Sequence, residues 1–278
     1  GFAPNNANQL EKYLLAKNIS TEKMIEAGLV AKSDDGKKTY DRFRNRIIFP
    51  IKDIRGKTIA FGGRALDPNA PAKYINSPES SLFDKGRTLY NFKNARDNLK
   101  KNNHLIVAEG YMDVIALTVA GFNASVAPLG TAITENQLRL LWRLTDEPVI
   151  ALDGDKAGIS AAMRAIDLAL PLLTIGKSLR FAVLPQGQDP DDIIKSDGKE
   201  RMDEIIQNAV PMIDLLWQRA LEGRNLDSPD RRAAFDASLK NITKKILEPT
   251  IRNHYFAALK TKRSNLLRST GVTKSTLV

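Results

Sequence analysis

Three short acidic stretches stand where apolar runs end: Glu109-Gly110-Tyr111-Met112-Asp113, Asp153-Gly154-Asp155 and Asp189-Pro190-Asp191. Carboxylates gathered at strand ends repel one another unless a cation lies between them. In an extended segment residues i and i+2 point the same way, so each Asp-x-Asp pair can face one cavity. Gly110 and Gly154 allow the backbone to turn sharply there, and Asp113 lies about one helical turn beyond Glu109. Glu109, Asp153, Asp155, Asp189 and Asp191 together offer oxygen alone, which suits a hard cation, Mg²⁺ or Mn²⁺. Such ions are commonly shared between carboxylates and phosphates, so chemistry on phosphate esters is expected. The plainer alternative is that these aspartates are turn and cap residues. Three acidic strand ends in one sheet favour the metal.

A second group is basic. Arg42, Arg44 and Arg46 alternate with Phe43 and Asn45, and in a strand their guanidinium groups would share one face. Arg64 follows Gly62-Gly63, where backbone can approach a ligand closely. Lys73, Tyr74, Asn76, Lys85 and Arg87 add cations, an aromatic ring and an amide on what reads as loop. Arginine suits bidentate phosphate contacts and lysine acts as a point charge. Tyr74, Phe83 and Tyr90 are placed to stack on bases, although core packing is the better expectation for Phe83 and Tyr90.

These residues need elements to position them. Residues 8–30 read as short helices, with Ser20-Thr21-Glu22 as a cap, and residues 31–65 read as β, with hairpin turns at Asp34-Asp35-Gly36 and near Asp53. Residues 66–87 read as loop. From residue 104 strands alternate with helices: Leu105–Ala108, Asp113–Ala120, Ala124–Ala127, Glu135–Leu144, Pro148–Leu152, 157–173 and Leu179–Leu184. That alternation predicts βαβ units and a mostly parallel sheet, whose ligands bind beyond the carboxyl ends of the strands. Residues 200–268 read as helices with Trp217, Leu221, Phe235, Leu239, Ile242 and Ile246 as core, and a capped joint at Leu226–Pro229. The fold class expected is α/β: a basic mixed lobe over residues 1–102, a central βαβ catalytic domain over 103–198, a helical subdomain over 199–268 and a tail over 269–278.

Composition sets the outer limits. The 278 residues carry a net charge of +10, with 42% hydrophobic residues and no cysteine. Disulfides and cysteine-based zinc sites are thereby excluded, and only His104 and His254 are present as imidazole ligands. No apolar stretch approaches the ~20 residues of a membrane span. Residues 36–101 hold 16 Lys/Arg against 6 Asp/Glu, whereas residues 102–200 hold 8 against 13. A basic lobe beside an acidic centre suggests a polyanion held on one side and metal on the other. The basic stretch 251–278 reads as a solvated tail. Because the chain opens on Gly1 rather than Met, it reads as a fragment of something longer.

The three acidic stretches resemble the signatures of the Toprim fold, shared by bacterial primases, type IA and II topoisomerases and some nucleases. Longer strings narrow the resemblance: Asp41-Arg42-Phe43-Arg44-Asn45-Arg46, Phe61-Gly62-Gly63-Arg64, Lys73-Tyr74-Ile75-Asn76-Ser77-Pro78-Glu79, Leu129-Gly130-Thr131 and the opening Gly1-Phe2-Ala3-Pro4 are similar to bacterial replicative (DnaG-type) primases. The resemblance implies a DNA-directed RNA polymerase, a nucleotidyltransferase of the primosome, that makes short RNA primers from ribonucleoside triphosphates on a single-stranded DNA template. It implies metal ligands at Asp153, Asp155 and Asp189, with Asp191 and Glu109 close by, and Glu109 as candidate general base for the primer 3′-hydroxyl. It makes Arg42, Arg44, Arg46, Arg64, Lys73, Lys85 and Arg87 a basic ridge for template and nucleotide. A monomer in the bacterial cytoplasm is expected. The replicative helicase would be met through a domain absent here, and no zinc is expected in this fragment. Another Toprim enzyme, or a non-catalytic nucleic-acid module, are the competing readings.

Overall fold

The computed structural model describes residues 1–100, 104–130 and 132–269. They fall into two compact units, one drawn from Gly1–Asn103 and Ala108–Thr131, the other from His104–Val107 and Ala132–Val278. Thr131 and residues 270–278, most of the expected tail, lie outside the described residues.

The first unit begins with β1 (Phe2–Ala3), α1 (Gln9–Leu15), α2 (Thr21–Glu26), β2 (Val30–Lys32), β3 (Thr39–Asp41), β4 (Arg46–Lys52), β5 (Thr58–Ala65), β6 (Tyr74–Asn76), a 3₁₀ turn (Lys85–Arg87) and α3 (Phe92–Asn98). After β7 (Ile106–Val107), which belongs to the second unit, α4 (Tyr111–Val119) and β8 (Ser125–Val126) return to the first. An antiparallel sheet runs β1-β4-β5-β6. Along β4, Phe49 and Ile51 are buried while Pro50 and Lys52 are exposed, the period of a strand with one face on a core. Phe49, Ile51, Ala60, Phe83, Tyr111 and Leu129 form that core.

The second unit continues with α5 (Glu135–Leu144), β9 (Val149–Leu152), α6 (Lys156–Ala169), a 3₁₀ turn (Leu170–Leu172), β10 (Arg180–Val183), α7 (Pro190–Ser196), α8 (Gly198–Gln207), β11 (Val210–Pro211), α9 (Met212–Leu221), α10 (Pro229–Lys244) and α11 (Pro249–Ser269). Within it β9 pairs in parallel with β7 on one side and β10 on the other, and β11 closes antiparallel against β10. All four residues of β9 are buried, as expected of a strand covered on both faces. The α/β reading is therefore correct, and the acidic loops 153–155 and 185–189 follow the carboxyl ends of β9 and β10. Ser228 caps α10 by accepting from the Arg231 amide, and Phe235, Leu239 and Ile246 are fully buried.

Several expectations need correction. Residues 42–45 are not strand: Asn45 adopts a left-handed conformation (φ 49°), so Arg42, Arg44 and Arg46 do not share a strand face. The stretch 66–87 is not all loop, because β6 adds an edge strand to the sheet and residues 85–87 form a 3₁₀ turn. Asp191 lies in the first turn of α7 rather than in an extended segment, so it is not an i+2 strand partner of Asp189. Strand β11 and helix α7 were not anticipated.

Candidate active site

In the second unit the two aspartate loops are packed backbone to backbone. A Cβ on Gly154 would lie 1.9 Å from the Pro185 carbonyl oxygen and 2.6 Å from that of Leu184. The Gly154 amide donates to the Gln188 carbonyl at 3.4 Å. Glycine is thus required at 154 for space, and its effect is to set Asp153 and Asp155 on a loop touching the one that leads into Asp189. Gly158 repeats the device one turn into α6, where a Cβ would lie 2.2 Å from the Asp153 carbonyl oxygen.

Each carboxylate also has a local task. Asp155 Oδ1 accepts from the Gly158 amide at 2.7 Å and so caps α6; Asp189 Oδ1 accepts from the Asp192 amide at 2.8 Å and caps α7. Both are strong N-cap arrangements that also place negative charge at the positive end of a helix. Asp191 forms an ion pair with Lys195 at 2.5 Å, and this bond, with Asp192 and Asp189 nearby, raises the lysine's pKa. Among the described residues no three Asp, Glu, His or Cys side chains are grouped so as to hold a metal ion. The donor set nevertheless fits a hard cation. It is oxygen only, it lies on two touching loops, and each capping carboxylate has an Oδ2 that its cap bond does not engage.

The first unit holds Glu109 and the basic residues. Glu109 is exposed, at the turn before α4. Asp113 is buried and its Oδ2 accepts from the Gly110 amide at 2.9 Å, which pins that turn. In β5 and β6, Gly62 pairs with Asn76 and Arg64 with Tyr74, so alternation puts Arg64, Tyr74 and Asn76 on one face. Arg64 Nε is buried and has no hydrogen-bond partner among the described residues. Lys73 lies over the Tyr74 ring at 6.0 Å.

The remaining basic residues are less alike than their shared charge suggests. Arg42 donates from Nε and Nη2 to the Asn76 carbonyl at 3.2 and 3.1 Å. Arg46 donates to the carbonyls of Gly63, Lys73 and Ala72 at 3.4, 3.3 and 2.9 Å. Both therefore tie β6 to its neighbours. Arg44 instead stacks on the Tyr40 ring at 4.8 Å and is exposed. Asp84 pairs with exposed Arg87 at 3.3 Å, and the Lys85 amide donates to Glu79, on a segment anchored by fully buried Phe83. Gly62 and Gly63 do not open the backbone to a ligand: a Cβ on Gly62 would lie 2.4 Å from the Tyr111 hydroxyl, and one on Gly63 would lie 2.7 Å from the Phe43 ring.

Tyr111, quoted within the acidic motif but assigned no task by sequence reasoning, is the centre of the first unit's core. Its ring stacks on Phe49 at 4.9 Å and meets Tyr90 edge-on at 4.7 Å. Its hydroxyl donates to Asn76 Oδ1 at 2.7 Å. Burial, with Tyr90 and Tyr74 alongside, pushes that hydroxyl above the ordinary tyrosine range, so it remains a donor. Lys195 was missed too, although the Asp191-x-x-x-Lys195 spacing is the signal for an i,i+4 pair.

A parallel sheet with acidic loops at the carboxyl ends of its strands is the arrangement of a Toprim domain. The matches agree: residues 1–96 match the family described as DNA primase catalytic core, N-terminal domain, and residues 103–181 match the Toprim domain. The chain is 42% identical over 260 residues to a DNA primase of Rickettsia conorii and 40% identical over 252 to one of Escherichia coli K12, covering 94% and 91% of this chain. It spans 43% of the length of each of those relatives. A DnaG primase catalytic domain bound to single-stranded DNA superposes with a TM-score of 0.85 at 39% identity, covering 94% of this chain and 84% of that one. The E. coli primase catalytic core gives 0.84 at 37% identity, covering 100% and 86%. The chain belongs to the DnaG primase catalytic-core family.

Proposed function

We propose that this chain is the polymerase core of a bacterial DNA primase, joining ribonucleotides into short RNA primers on single-stranded DNA. The observation that carries the reading is the packing of the Asp153-Gly154-Asp155 loop against the loop before Asp189, through a glycine whose Cβ direction is filled by the Pro185 and Leu184 carbonyls. Asp153, Asp155 and Asp189, with Asp191, would hold Mg²⁺ or Mn²⁺. The bound cation would neutralise charge on the transferring phosphate and favour the ionised 3′-hydroxyl.

The chain's own groups do the rest. Glu109 takes the proton of the primer 3′-hydroxyl as general base. Arg64, whose buried Nε has no hydrogen-bond partner among the described residues, and Lys73 bind phosphate, while Tyr74 offers a stacking surface. Arg44, Lys85 and Arg87 extend the cationic surface along which template is held. Arg42, Arg46 and Asn76 hold β6, the strand that carries Tyr74, in place. The proposed division is the basic lobe at 1–102, the catalytic domain at 103–198, helices at 199–268 and a tail beyond. Contact with the replicative helicase would belong to parts of the longer relatives that these 278 residues do not span. The working form would be a cytoplasmic monomer at the replication fork. Among the described residues no helix is long and apolar enough to cross a membrane.

The test is incorporation of labelled ribonucleotides on single-stranded DNA with and without divalent cation, run both unprimed and with an annealed RNA primer. Template-dependent products that require the cation support the reading. Binding of single-stranded DNA with no synthesis, even from a supplied primer, would leave a non-catalytic binding module.

A further inference from the structure

Asn76 is the meeting point of four segments of the first unit. Its Oδ1 accepts from the Tyr111 hydroxyl at 2.7 Å, its Nδ2 donates to the Leu129 carbonyl at 3.1 Å, and its own carbonyl accepts twice from Arg42. Leu129 and Gly130 follow β8, while Glu109 and Gly110 come just before Tyr111 at the start of α4. One amide on β6 therefore ties down both of these loops. Only a side chain that accepts and donates at once can do this, which is the chemistry of an amide.

The surroundings leave the pair little freedom. Tyr111 is 7% exposed and is clamped between Phe49 and Tyr90. Gly62, the cross-strand partner of Asn76, leaves no room for a Cβ beside the hydroxyl. Gly130 takes a left-handed turn (φ 77°), with its Cβ direction 3.4 Å from Asn76 Nδ2. Arg64 and Tyr74 lie on the same face of β5 and β6 as Asn76.

We propose that Asn76 and Tyr111 are a positioning pair that fixes the Glu109-Gly110 turn in register with the paired strands β5 and β6, which present Arg64 and Tyr74. Substrate binding and proton removal are thereby placed on one rigid frame. The proposal rests on the primase reading for its catalytic consequence but not for its structural one. A displacement of about 1 Å at a reacting group can cost on the order of 10²-fold, so Tyr111→Phe and Asn76→Asp should each lower kcat by roughly 10- to 100-fold. KM for nucleotide and affinity for template should hold in Tyr111→Phe, which adds no charge beside Arg64. The double variant should lose no more than the worse single one, since both break the same link.

The experiment measures kcat, KM, template affinity and hydrogen exchange of residues 108–112 for wild type, Tyr111→Phe, Asn76→Asp and the double variant. Faster exchange confined to that turn, with a kcat loss at constant KM and an unchanged active fraction, supports the proposal. Unchanged exchange and kcat in Tyr111→Phe would overturn it, as would faster exchange throughout the unit, which marks a structural role only. Weaker template or nucleotide binding at constant kcat would overturn it in favour of direct binding by Asn76. If the wild type made no RNA, the primase reading would fail, and exchange at the turn would still decide the positioning claim.

Discussion

The α-carbon of Gly154 faces the carbonyl oxygen of Pro185 so closely that a Cβ would lie 1.9 Å from it. Two loops that each carry aspartates are therefore in contact through main chain, and side-chain adjustment cannot relieve an added methyl group. Gly154→Ala should destabilise the fold by about 3 kcal/mol, the upper end for overpacking, because the obstructing atoms are backbone. Chemical denaturation measures this. A loss below about 0.5 kcal/mol would mean that the two loops are not held together as described.

The basic residues should divide by experiment as they do by contact. Arg46→Ala removes three donors to carbonyls around β6 and should cost about 2 kcal/mol of stability. Lys85→Ala should lower the log–log salt slope of template binding by about 1. Titrations on single-stranded DNA at several salt concentrations, beside thermal melts, separate the two. Equal salt slopes for Lys85→Ala and wild type would remove Lys85 from the phosphate-binding surface.

Lys195 is a resident cation on the acidic rim, paired to Asp191 at 2.5 Å. Its removal should strengthen binding of an added divalent ion. Lys195→Ala is expected to bind Mn²⁺ roughly two- to fivefold more tightly, as read by electron paramagnetic resonance of free Mn²⁺. Unchanged or weaker binding would place the ion away from Asp191.

Asp167 joins α6 to α9 and to the residue ending α10, through Arg219 at 2.9 Å and Lys245 at 2.9 Å. Burial works to raise its pKa, but the hydrogen bonds and charges of those two cations outweigh it, and the pKa is lowered. A carboxylate with a depressed folded-state pKa stabilises above its unfolded value, and the gain is lost as pH falls through the folded value. Stability conferred by Asp167 should thus be intact at neutral pH and disappear below the ordinary aspartate range. Because Asp167 is 43% exposed, the gain is held to about 1 kcal/mol by solvent screening. Asp167→Asn should flatten the acid limb of a stability–pH curve by that amount, and a parallel curve would refute it.

Much of this architecture is legible in the sequence because it is written in local patterns. Val149–Leu152 is apolar throughout, as a doubly covered strand must be, and helix α5 starts where Thr134 and Gln137 form a reciprocal cap. What escaped depends on tertiary context. The arginines of residues 42–46 alternate as a strand would, but Asn45 turns left-handed and sends Arg42 and Arg46 to carbonyls around β6. Strand β11 has two residues and no periodicity to detect. Asp189-Pro190-x-Asp192 is a helix start as well as an acidic motif, with proline at the first helical position. Reading it only as a ligand set hid α7. Gly62-Gly63 suggested access for a ligand, whereas the space is filled by Tyr111 and Phe43 from elsewhere in the chain.

The central claim is that carboxylates at the strand ends support metal-dependent nucleotidyl transfer. Its most direct test is extension of an annealed RNA primer on a DNA template by wild type and Asp153→Asn, with template affinity measured in parallel. Asp153→Asn should lose about 10²- to 10³-fold in rate, as for removal of one electrostatic group at a reacting centre, with template affinity unchanged. Wild-type rates in Asp153→Asn would contradict it.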